Sequence, residues 1–111
     1  SVISRWQHIF RGFSLTISAP ATLSLDVFIQ QTESYLDKVV EHGDDQQLFI
    51  ASYLQGHFAV AAGQSQVQQM TEIKQLSKLM DVSLQSAFDN NELVAEDQQQ
   101  VLSLWQLLLN R

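Results

Sequence analysis

Few residues in this chain could do acid–base or nucleophilic chemistry, and their spacing is unhelpful. His57 stands out. It follows Tyr53 by one helical turn in Tyr53-Leu54-Gln55-Gly56-His57-Phe58, inside a stretch with no charge after Asp45. An imidazole in such surroundings could act as a general base or hold a ligand, with Tyr53 beside it. The plainer reading is a half-buried histidine bonded to a neighbour. The sequence favours the plainer one, because no second His, no Cys and no helical Glu stands at ligand spacing. Metal-binding histidines on a helix lie three or four residues apart. His8, His42 and His57 are too far apart for that. No metal and no cofactor is expected.

The other candidates are weaker. Ser52 is five residues from His57, so the two point from different sides of a helix. Glu96 and Asp97 are adjacent and diverge in the same way; acids there suit the start of a helix. Glu41-His42-Gly43-Asp44-Asp45 is a polar cluster, but it lacks the alternating oxygens and the distal Glu of a calcium loop. Capping and turn formation account for it. No nucleophile elbow, dinucleotide fingerprint or phosphate loop is present. An enzyme is therefore not expected, although a small-ligand pocket near Tyr53 and His57 remains the alternative.

The elements that would position these residues are helices. From Ser24, a good N-cap, Leu25, Phe28, Ile29, Leu36, Val39 and Val40 form one stripe with Tyr35 at its edge. Gly43 is expected to end that helix in the left-handed conformation. Asp44 and Gln47 then make a capping box for a central helix from Asp45 to about Gln66. That helix is apolar on most of its circumference, so neighbours are expected to close over it on several sides. Leu48, Ala51, Leu54, Phe58, Ala61 and Ala62 form one face; Phe49, Tyr53, Gly56, Val60 and Gly63 form another. Gly56 predicts a close approach by a neighbouring helix, since no Cβ stands in the way.

Thr71 is expected to open a third helix, which runs to about Asp89 on the stripe Ile73, Leu76, Met80, Leu84, Ala87 and Phe88. Asp89-Asn90-Asn91 reads as a turn. A last helix runs from about Ala95 to Asn110, burying Val101, Leu102, Trp105, Leu108 and Leu109. Nothing alternates over enough residues to argue for a sheet. The fold class is all-α: a four-helix, up-and-down, bundle-like domain over 23–111, with neighbouring helices crossing near ~20°.

Residues 1–22 differ from that body. They hold Arg5 and Arg11 and no acid, whereas 23–111 hold four cationic side chains against all twelve acids, a net −8. Such a body repels phosphate backbones, so no nucleic acid is expected as partner. Val2, Ile3, Trp6, Ile9, Phe10 and Phe13 recur at helical spacing, an amphipathic helix or flexible tail. Membrane contact, if any, would run through residues 1–13. No run approaches the ~20 residues of a membrane span. The absence of Cys fits a reducing compartment. Trp6, Phe10, Trp105 and Leu109 carry more apolar surface than one bundle face needs, and any exposed remainder would mark a protein partner or a homodimer. Coverage of the last helix by residues 1–22 is the competing reading.

Three strings, Tyr53-Leu54-Gln55-Gly56-His57-Phe58, Asn91-Glu92-Leu93 and Glu96-Asp97-Gln98 through Trp105, make the chain similar to the YfcL family, which are small acidic bacterial proteins. The resemblance covers roughly 23–111. It departs at Val94 and Ala95, where the family tends to place a hydroxyl residue and Pro before the last helix. Residues 1–22 fall outside it, either as an extension ahead of the family's domain or as residues that are not native to the protein. The resemblance implies a cytoplasmic bacterial protein and supplies no reaction, ligand or catalytic residue. What the residues support best is a non-enzymatic helical interaction module.

Overall fold

A computed structural model describes residues 24–110 of the chain. Four α-helices make up the fold, with no strand among the described residues: α1 Leu25–His42, α2 Asp45–Val67, α3 Ile73–Asp89 and α4 Ala95–Leu109. The all-α, bundle-like domain is as the periodicities require. Trp6 and Phe10, and the N-terminal segment that holds them, lie outside the described residues.

Local chemistry sets the helix ends. Ser24 Oγ accepts from the Val27 amide at 3.3 Å. Asp44 and Gln47 form the reciprocal capping box, at 2.8 and 2.9 Å. Gly43 does not take the left-handed form; its φ is −76° and its ψ 164°. What excludes a side chain there is crowding: a Cβ would meet the Val39 carbonyl oxygen at 2.7 Å and Gln47 Cβ at 3.0 Å. The third helix begins two residues later than the sequence suggests, after Glu72, because Gln75 Oε1 reaches back to the Thr71 and Glu72 amides at 3.1 Å each. Among the described residues, those in the left-handed region are Gln69 and Asn91, with φ of 56° and 57°; Asn91 is in the expected turn. Val94 makes no side-chain cap, and α4 still begins at Ala95, with Glu96 and Asp97 in its first turn.

α2 is the hub. It packs against each of the other three helices, which touch one another only slightly. Phe28–Phe58 and Asp37–Gln55 link α1 and α2 in descending order, so the two run antiparallel. Gln46–Asp97 and Phe58–Trp105 link α2 and α4 in ascending order, so those two run parallel. The short turn at 68–72 returns the chain along α2, and directions alternate along the sequence. The core centres on Phe28, Phe58 and Trp105, whose ring centroids are 5.9–6.4 Å apart in tilted and edge-on pairs. Leu76, Met80 and Leu84 seat α3 on the same core.

One expectation about α2 is overturned. The face Ile50, Ala51, Leu54, Phe58, Ala61, Ala62 and Ser65 is buried, but the opposite face lies open. Phe49 is 43% exposed, Val60 59% and Val67 85%. Ser52, Gly56, Ala59 and Gly63 are exposed between them. A Cβ added at Gly56 or Gly63 would meet nothing within 4 Å, so none of the described helices approaches there. Leu48 also falls on the outside, at 41%. The physical reason is geometric: α1, α3 and α4 cover one side of the hub and leave the other to solvent.

Candidate functional site

The side chains that sequence reasoning singled out, Tyr53 and His57, are both half-buried on α2 and stack at 4.8 Å between ring centroids, tilted by 43°. Each holds a partner from a different element. The Tyr53 hydroxyl donates to Glu92 Oε1 at 3.1 Å, from the turn before α4. His57 Nδ1 is 2.6 Å from Ser83 Oγ on α3. The cluster therefore ties three segments together along one edge of the open α2 flank.

Its chemistry is conservative. Burial pushes the Tyr53 hydroxyl up to about 12, and the Glu92 carboxylate adds to this by accepting the phenol's hydrogen bond and by its negative charge. A phenol held protonated in this way is a poor base or nucleophile at neutral pH. Ser83 and His57 are within the distance of an activated hydroxyl pair, while Glu92, the carboxylate of this cluster, is hydrogen-bonded to Tyr53. Ser83 also sits in the middle of α3, where backbone amides are committed to the helix and offer no oxyanion hole. The arrangement is a cross-brace with two aromatic rings at the surface edge.

Two of the expected partner residues lie elsewhere. Trp105, expected at a partner surface, is fully buried between Phe28 and Phe58, so its apolar area is spent on the core. Leu109 is half-buried against that core. The exposed apolar surface lies on α2 rather than α4: among the described residues, four of the seven exposed large apolar side chains are Leu48, Phe49, Val60 and Val67. Sequence reasoning missed Ser83 and Glu92, which come from 26 and 39 residues away and leave no local signal. It saw the residues of the flank but took them for a second buried face.

Among the described residues, no group of three or more His, Cys, Asp or Glu is placed to hold a metal. A shallow, open depression on α3 is lined by Asp81, Val82, Gln85, Ser86, Asp89 and Asn90, and neither Tyr53 nor His57 borders it.

Comparison with known proteins places this fold. The family model described as YfcL protein matches residues 26–110, from the first turn of α1 to the end of α4. The chain belongs to the YfcL family. A relative from Escherichia coli (strain K12), the uncharacterized protein YfcL, is 28% identical over 76 residues, covering 68% of this chain and 83% of that protein. No solved structure matches. All four helices and the Tyr53–His57 cluster fall within the family region, so the hub arrangement is the domain itself. The YfcL match carries no reaction with it, and what can be said of function rests on the surfaces just described.

Proposed function

We propose that this YfcL-family protein is a non-enzymatic interaction module of the bacterial cytoplasm that presents the outer flank of α2 to a protein. The observation that carries the reading is the open flank. Phe49, Ser52, Gly56, Ala59, Val60, Gly63 and Val67 run along α2 without one charged side chain among them, and Asp45 stands ahead of them in the first turn. Solvent-facing helix surfaces are ordinarily polar or charged, and an apolar strip with a polar edge has the anatomy of a binding surface. Tyr53 and His57 supply part of that edge. The E. coli relative and the lack of Cys support the compartment. No helix among the described residues is long and apolar enough to cross a membrane.

The test is affinity capture from the native cell with the full chain and its Val60→Glu variant. A protein retained by the first and lost from the second supports the reading. Identical captures from both would end it. Val60 is 59% exposed, so the substitution leaves the fold intact, which circular dichroism checks.

A second reading, small-ligand binding at Tyr53 and His57, is favoured by one observation: two stacked rings with hydrogen-bonding partners at an accessible edge. Shifts of the His57 ring resonances on screening metabolite classes by NMR would support it, and unmoved resonances throughout would count against it.

A further inference from the structure

We propose that the α2 flank binds a second copy of this chain, as an antiparallel helix pair whose twofold axis passes level with Ala59 and Val60. The inference rests on the reading above and names the partner. Three features of the flank point to it.

The first is spacing. Gly56 lies three residues before Ala59 and Gly63 three residues after Val60, so the two glycines are symmetric about the midpoint of that pair. An antiparallel twofold sets Gly56 of one copy level with Gly63 of its partner and Ser52 level with Val67. Both glycines open onto empty space, and the lack of a Cβ at each lets two backbones approach closely there. Val60 of each copy packs beside the axis. A closed twofold pair of this kind needs one patch that complements itself.

The second is charge. The protein carries −6, which opposes self-association in general. The part of the flank that the pair would cover, 52–67, has no charge to desolvate. Asp44 and Asp45 stand at its N-terminal end, whereas 64–71 hold no charged residue. A parallel pair would bring both acidic ends together. The antiparallel pair puts Asp44 of one copy roughly 45 Å along the axis from Asp44 of its partner, several screening lengths away. It also opposes the two helix dipoles.

The third is area. In that register the two helices face each other over 52–67, about 24 Å of helix, and a strip about 10 Å wide buries on the order of 240 Å² per copy. That is below a standard interface and fits a weak dimer, one that forms with rising concentration.

The chain has no Cys, so single cysteines report the geometry directly. Val60→Cys and Phe49→Cys variants of the full chain are oxidised at about 100 µM, and the unmodified chain and Val60→Glu are followed by sedimentation equilibrium from about 1 µM to 1 mM. A disulfide needs Cα atoms within ~7 Å. In the proposed pair Val60 meets Val60 near the axis, while the two Phe49 positions are roughly 32 Å apart. The expected result is rapid dimer formation by Val60→Cys alone, and a rise toward twice the monomer mass that Val60→Glu abolishes. Crosslinking by both variants overturns the antiparallel register. A dimer that survives Val60→Glu places the contact elsewhere and overturns the proposal. A monomer at every concentration with no crosslink overturns self-association, and then the capture experiment decides separately whether the flank serves a different protein.

Discussion

Replacing Gly56 by Ala should stabilise the isolated domain. Gly56 lies in the interior of α2, where glycine loses more backbone freedom on folding than alanine does. Its site has negative φ, and a Cβ built there has no neighbour within 4 Å, so the methyl group meets neither strain nor packing. Helix propensity alone decides the sign, and the expected gain is roughly 0.5–1 kcal/mol. For a domain of this size that raises Tm by about 2–8 °C. The assay is thermal and urea unfolding followed by circular dichroism at about 1 µM, where a weak pair is dissociated. Gly63→Ala should give a similar gain. The two sites are two helical turns apart with no shared partner, so the double variant should come close to the sum. A fall in Tm in the dilute protein would refute the reasoning, because it would mean that something already covers Gly56. At high concentration the same variant should behave in the opposite sense: a Cβ in the proposed contact holds the two backbones apart, and Gly56→Ala should shift the monomer–dimer balance toward monomer.

Other substitutions test the rest of the structure. Phe58→Ala removes the ring that bridges Phe28 and Trp105 and should cost about 3–5 kcal/mol by urea unfolding. Gly43→Ala should destabilise, unlike the two α2 glycines, since its Cβ would sit 2.7 Å from a backbone oxygen that cannot swing aside; thermal melts of the three alanine variants side by side show the contrast. Glu92→Gln should bring the Tyr53 hydroxyl part of the way from about 12 back toward 10.0, because burial is the larger cause and remains; ultraviolet titration of tyrosinate reads this, with Tyr53→Phe as the blank. The same shift fixes a sign in pH dependence. The folded state holds the Tyr53 proton more tightly than the unfolded chain, so this stabilisation is complete below pH 10.0 and is lost as pH rises toward about 12, and urea midpoints across that window should fall less steeply in Tyr53→Phe.

What the sequence made legible was set by range. Helix ends are local contests, and Ser24, the Asp44–Gln47 box and the Asn91 turn were readable because all their parts lie within a few residues. Gly43 shows the limit even there: the residue type was right for a helix end, but the cause was a carbonyl four residues back rather than a left-handed angle. Periodicity located the buried stripes of α1, α3 and α4 because each has one apolar face. It failed on α2, where both faces are free of charge and hydropathy alone does not separate them. Which face is covered depends on how three other helices distribute around the hub, a long-range outcome. The Tyr53–Glu92 and His57–Ser83 bonds were invisible for the same reason.

The two glycines then pose a question of energetics. Each holds a helix-interior position at a cost of about 0.5–1 kcal/mol relative to alanine, against a net stability for small domains of about 5–15 kcal/mol. Nothing within the described fold uses the space they leave. Gly43 makes the contrast, since the fold cannot accommodate a side chain there. A glycine that folding does not require, in the middle of an uncharged and exposed strip, is explained by what approaches from outside. A flexible loop ligand would ask for polar groups along the strip, where Ser52 stands alone, with Gln64 and Gln66 exposed only at its margins. A rigid, equally apolar helix asks for close backbone approach, and α2 of a second copy offers the same two gaps in the register that brings them together.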